Sequence, residues 1–125
     1  MGRFKGKYQL NEFTPYTYKT LAELSYTTNK GIIHTVPIDF ITDGASIPKL
    51  FWSFVGSPFT GLYRRPSLIH DYFYATQKVK RNYADRIFLE GMKDEGVSWW
   101  KRKTMYFAVR GFAGRIWKRH GLKIL

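Results

Sequence analysis

The sequence predicts an α+β fold: a small antiparallel N-terminal sheet followed by about three packed helices. Two observations carry this. The first half is rich in Thr, Tyr, Ile and Val and is broken by Gly, Pro and Asn, the pattern of short strands and turns. The second half repeats its apolar residues at helical spacing, with start and stop residues at the ends of each run. Strands gathered before helices argue for α+β rather than an alternating α/β order.

In chain order, "FTPYTYKTLAELSYTT" and "GIIHTVPIDFIT" are the strand-forming runs, and Asn29-Lys30-Gly31 between them predicts a hairpin turn. Pro37 excludes a central strand position at its own site, because it cannot donate to a ladder. "VGSPFTGLYRRP" predicts loop or short helix. Pro66 suits the first turn of a helix reaching about Lys78. Asn82 with Asp85 starts a second helix that ends near Gly96. Ser98 caps a third, which runs to about His120 with Gly121 just past its end. In this last helix Met105, Ala108, Val109, Phe112, Ala113 and Ile116 form an apolar stripe, and Gly111 and Gly114 suit a close approach of another backbone, from the strand layer or from a partner subunit.

With 125 residues, 44% of them hydrophobic, the chain is read as a single domain, residues 1–125, able to bury a core without staples. It has no cysteine, which removes thiolate catalysis and cysteine zinc sites and fits a reducing compartment. Any metal would be held by oxygen and imidazole. The first residues, "MGRFKGKYQL", lack the apolar core of a signal peptide, and no run approaches the roughly 20 apolar residues of a membrane helix. The expected setting is a soluble protein or a component of an assembly.

Charge is distributed unevenly. The net charge is +12, with 21 Lys and Arg against nine acids, and from Gly96 to Leu125 there are eight basic residues and no acid. Lys101, Arg102, Arg110, Arg115, Lys118 and Arg119 therefore form a candidate contact for a polyanion: an acidic partner protein, nucleic acid or an anionic membrane surface. A solvated, solubilising face is the bland alternative, although such faces usually mix both signs.

The candidate chemistry begins at "PSLIHDYFYATQ". On a helix from Pro66, Ser67, His70, Asp71, Tyr74 and Lys78 share one side. Folding back after "TQKVKRN" brings Asp85 to within about 4.5 Å of the height of His70, given about 1.5 Å of rise per residue. A carboxylate on the imidazole would fix its tautomer and free the other nitrogen to take a proton or bind a metal. Asp71 would point to a neighbouring position where a hard cation could sit. The structural alternative is a helix-start role for Asp85 and a backbone carbonyl as the partner of His70. In "FITDGASIPKLFW", Asp43-Gly44 suits a turn with left-handed backbone at the glycine, and Ser46 suits the cap of a short helix begun by Ile47-Pro48. The alternative places Asp43 and Ser46 over the His70 row as an oxygen ligand and a support.

These stretches resemble a family of small phage and prophage proteins carrying a domain of unknown function. Its pattern is V-P-x-x-F-x-T-D-x-A-S-[IV]-P, then H-D-x-x-Y, then A-D-x-x-F, then a basic aromatic helix. Here these are "VPIDFITDGASIP" (36–48), "HDYFY" (70–74), "ADRIF" (84–88) and "MYFAVRGFAGRIW" (105–117). The resemblance implies a phage origin, with the virion or host cytoplasm as location. A more distant likeness is to secreted calcium-dependent phospholipases, which carry H-D-x-x-Y on a helix and a later aspartate on the histidine. It implies His70 as base, Asp71 as calcium ligand, and Tyr74 and Asp85 as supports. The chain departs from that pattern in having no tyrosine-glycine calcium loop and no disulfides.

The leading expectation is a virion, tail-associated or accessory phage protein that binds an acidic partner or nucleic acid through its basic C-terminal helix. The alternative is a small His/Asp hydrolase, with calcium as its candidate cation. Sequence-specific DNA recognition ranks last, because no helix-turn-helix spacing precedes the basic helix.

Overall fold

The structure is a computed structural model and describes residues 3–14, 17–44, 46–48, 51–52 and 61–124. Among the described residues six strands come first: β1 (Arg3–Gly6), β2 (Leu10–Thr14), β3 (Thr17–Thr20), β4 (Leu24–Thr27), β5 (Ile33–Val36) and β6 (Ile41–Thr42). A 3₁₀ turn at Gly61–Tyr63 then leads into α1 (Arg64–Thr76), α2 (Arg81–Asp94), α3 (Trp99–Phe112) and α4 (Gly114–Ile124). The α+β class is as predicted.

The strands form two antiparallel three-stranded sheets rather than one, ordered β1-β4-β5 and β2-β3-β6. The hairpin between β4 and β5 turns at Asn29-Lys30-Gly31 as expected. Gly31 supplies the positive φ of 83°, and Thr28 N–H donates to the Ile32 carbonyl across 2.8 Å. β5 ends at Val36, directly before Pro37, and lies at the edge of its sheet. Gly6 allows β1 to close against β4. Its φ is 99°, and a side chain there would put Cβ 2.3 Å from the Glu23 carbonyl oxygen.

Leu24, Tyr26 and Val36 from the first sheet, Ile69, Phe73 and Tyr74 from α1, and Phe88 and Met92 from α2 are buried together in the core. Tyr26 and His34 fasten the first sheet to α2. The Tyr26 hydroxyl lies between Glu90 and Asp94, and His34 Nε2 is 2.8 Å from the Tyr83 hydroxyl. α1 ends at Gln77, whose left-handed φ of 52° reverses the chain into α2.

The expected third helix is two helices. α3 stops at Phe112 and α4 starts at Gly114, with Ala113 buried between them. The reason lies on α2: the Arg81 guanidinium donates to the carbonyls of Val109 (2.7 Å) and Arg110 (2.9 Å), satisfying acceptors near the end of α3. Among the described residues no other backbone of the chain approaches Gly111 or Gly114. A Cβ at Gly111 meets open space, and one at Gly114 meets the Arg81 side chain at 3.5 Å. In the predicted apolar stripe Met105, Ala108, Val109 and Ala113 are buried, whereas Phe112 is exposed. The short helix expected after Ile47-Pro48, and much of "VGSPFTGLYRRP", lie outside the described residues.

Candidate functional site

α1 is buried along Pro66–Tyr74 on every side, so the polar row of the sequence faces protein rather than water. Burial forces His70, Asp71 and Tyr74 onto protein partners, whereas the buried Ser67 hydroxyl has none among the described residues. His70 is fully buried, with its ring between those of Tyr74 and Phe88, at 4.3 and 4.7 Å between centroids. Its Nε2 lies 2.6 Å from Asp85 Oδ1 and its Nδ1 lies 3.0 Å from Ser46 Oγ. The predicted contact across the α1–α2 turn is therefore made, and no backbone carbonyl takes its place.

Asp85 is the hub. The Tyr74 hydroxyl donates to the same oxygen at 2.7 Å, while Arg110 from α3 donates to Oδ2 at 2.7 Å. Arg81 stands 3.9 Å from Oδ2, one helical turn earlier, and donates to the Tyr74 oxygen at 3.2 Å. Burial alone would raise the Asp85 carboxyl. The hydrogen bonds from His70, Tyr74 and Arg110 outweigh it and hold the group below the usual carboxylate range. The same bond to Asp85 raises Arg110. An ionised Asp85 only accepts, so His70 carries a proton on Nε2.

The next residue diverges. Asp71 is buried and accepts from the Thr42 hydroxyl at Oδ2 and from the Ser46 backbone N–H, 3.3 Å away, at Oδ1. Burial pushes its carboxyl above the ordinary range, and the exposed Asp43 adds to the rise, while the bonds from Thr42 and from the Ser46 side chain and N–H oppose it. Ser46 thus joins the two carboxylates. Its hydroxyl meets His70 Nδ1 and its backbone N–H meets Asp71, so a polar chain runs Asp85–His70–Ser46–Asp71. Gly44 has the predicted left-handed backbone, with φ 70°, and its N–H is held by Thr42 Oγ1 at 3.2 Å. This turn delivers Ser46 to the histidine.

Three assignments change. Arg110, read from its sign as a polyanion contact, is paired with buried Asp85 and belongs to the core network. Lys78 leaves the polar row and donates to the Tyr72 hydroxyl at 3.0 Å. Asp71, implied as a calcium ligand, has both oxygens committed to protein donors, and among the described residues no three His, Asp or Glu side chains gather where a metal ion could be held. The residues present do not fit calcium. Thr42 and Arg81 were missed. Arg81 had a signal, lying four residues before Asp85 on one helix face. Thr42 had only its place beside Asp43. Of the basic series, Arg115, Lys118 and Arg119 are exposed, Lys101 and Arg102 half-buried.

Residues 18–109 match the family described as "Protein of unknown function (DUF1353)". The chain belongs to that family. The DUF1353 region contains every member of the polar network except Arg110 and stops before α4. Two proteins of Sinorhizobium fredii (strain NBRC 101917 / NGR234) are similar. "Uncharacterized protein y4jT" is 41% identical over 92 residues, covering 74% of this chain and 27% of that protein. "Uncharacterized protein y4iH" is 33% identical over 94 residues, covering 75% and 39%. The chain spans well under half of either relative, so in both the matched region is part of a longer protein. No solved structure matches. Among the described residues no helix is long and apolar enough to cross a membrane.

Proposed function

We propose that the chain is a hydrolase module of the acyl-transfer type, with Ser46 as nucleophile, His70 as general base and Asp85 as the carboxylate that orients it. One observation carries this reading: a buried imidazole with a carboxylate 2.6 Å from one nitrogen and a serine hydroxyl 3.0 Å from the other. In the first step Ser46 Oγ attacks the acyl carbon of an ester or amide while its proton passes to His70 Nδ1. The imidazolium is stabilised by Asp85 and returns the proton to the leaving alcohol or amine. Water then repeats the cycle, releasing the acid and restoring the serine. The phospholipase likeness supports the same use of His70, Tyr74 and Asp85, with Ser46 standing where that likeness implies water. Calcium has no step in this reading. Ser46 is itself buried, with only Asp43 of its turn exposed, so on this reading the turn has to open to admit substrate.

The test is covalent labelling with a fluorophosphonate, with the site mapped by mass spectrometry, beside turnover of short-chain nitrophenyl esters. Label on Ser46, lost in His70→Gln while the circular dichroism of the fold is kept, is the expected result. A folded wild type that takes no label and turns over no ester, or a Ser46→Ala variant with undiminished turnover, would refute the reading.

A second reading rests on the outer surface of α3 and α4, where Arg115, Lys118 and Arg119 are exposed and no acid lies between Gly96 and Leu125. On it the chain is a phage or prophage protein, virion-bound, tail-associated or accessory, that docks an acidic partner or nucleic acid. The support is the charge pattern and the phage resemblance. Salt-sensitive retention on heparin that disappears when all three residues are changed to Glu is the expected outcome; unchanged retention counts against it.

A further inference from the structure

We infer that the groove between α2 and α3 binds single-stranded nucleic acid, with a base stacked on Trp99 and phosphates held by Arg86, Lys93 and Lys103. The groove measures about 290 Å³ and is lined by these four residues together with Arg102 and Glu90. Four cations thus face one acid. That acid is already engaged, since Glu90 accepts from the Asn29 N–H and the Tyr26 hydroxyl, both at 2.8 Å. The local charge is therefore strongly positive within a concave wall, where field lines concentrate.

Trp99 supplies the second requirement. Its side chain is 65% exposed at the first position of α3, on the rim of the cationic groove. An exposed indole has no packing explanation, and beside phosphate-binding cations it offers a face on which any base can stack. Trp100 and Phe107, at 50% and 66% exposure, share a separate exposed face of the same helix outside the groove, where Lys101 Nζ sits 5.7 Å from the Trp100 ring centre.

Single strands fit better than the other polyanions. A duplex hides its base faces, whereas a single strand can present them to the indole. A bilayer surface is broad and cannot follow cations into a cleft between two helices. The inference is independent of Ser46 and uses residues of α2 and early α3, apart from the α4 cations of the second reading.

The experiment is fluorescence anisotropy of a labelled twelve-residue oligothymidylate with the full chain across a salt series. Trp99→Ala should weaken binding on the order of tenfold, the scale of one lost base stack. Arg86→Glu with Lys93→Glu should lower the slope of log affinity against log salt by about 1.4, at about 0.7 for each lost phosphate contact. Changing Arg115, Lys118 and Arg119 to Glu should leave most of the affinity in place. Equal binding by Trp99→Ala, equal affinity for the matching duplex, or binding to phosphatidylglycerol vesicles without binding to the oligomer would each overturn the inference. Loss confined to the α4 variant would move the site to α4 and overturn it as well. Thermal unfolding of each variant separates lost binding from lost fold.

Discussion

Two regions of this molecule use charge in opposite ways. Around His70, Asp85 and Arg110 charges are packed against one another, and both His70 and Asp85 have 0% exposure. Along the outside of α3 and α4 charges of one sign face water without an acid among them. In the first region each group depends on its partner, because removing one leaves another stranded in a dry environment. In the second the groups repel one another weakly and cost the fold little, which leaves their field available to something outside. A residue's sign therefore says little about its role until its burial is known, as Arg110 shows by reaching inward from the basic helix.

The most disruptive way to sharpen this contrast is Asp85→Ala. It strands His70, Tyr74 and Arg110 together, and stability should fall by about 3–5 kcal/mol. Urea denaturation at neutral pH checks this, as a lower midpoint with an unchanged slope. A loss below about 1 kcal/mol would mean that the network relaxes readily, and the distinction between the two regions would fail.

A smaller effect is expected at the neighbouring carboxylate. Thr42→Val removes one donor from buried Asp71 and should cost about 1–3 kcal/mol. The two aspartates also bend the pH profile in opposite directions. The Asp85 carboxyl lies below its ordinary 3.8 when folded, so its contribution is complete above that value and fades as the pH falls below it. The Asp71 carboxyl lies above 3.8 when folded. The native state then holds a proton that the unfolded chain has lost, so stability declines as the pH rises from 3.8 through the folded value. Asp71→Asn should flatten the profile above 3.8 and leave the acid limb, whereas Asp85→Asn should remove the acid limb. Denaturation midpoints at a series of pH values test both, and identical profiles for the two variants would contradict the assignment.

The fold and part of the centre were legible because they rest on local rules. Helical rise alone brought Asp85 to His70, since the turn between α1 and α2 is short. The β4–β5 hairpin was legible from Asn29-Lys30-Gly31. The second sheet was not, because Tyr18 pairs with Thr42 and Lys19 with Ile41 across a long separation that no local pattern encodes. Thr42 was missed for the same reason, as its partner Asp71 is 29 residues away. The break at Ala113 was hidden too: the apolar stripe continues through it, and the residue that binds the Val109 and Arg110 carbonyls there is Arg81, on another helix.

The smallest effect tests the other half of the contrast. Changing Arg115, Lys118 and Arg119 to Glu alters three exposed residues of α4 and breaks no buried pair. Stability should move by no more than about 0.5 kcal/mol, the range of ordinary surface substitutions. Relief of like-charge repulsion in a chain of net charge +12 favours the variant, and so does a negative charge at position 115, in the first turn of α4 near the positive end of its dipole. Both effects are screened by salt, so the difference from wild type should shrink as ionic strength rises. A large, salt-independent loss would show that these cations are held by the fold as Arg110 is, and that the outer surface is not free to serve a partner.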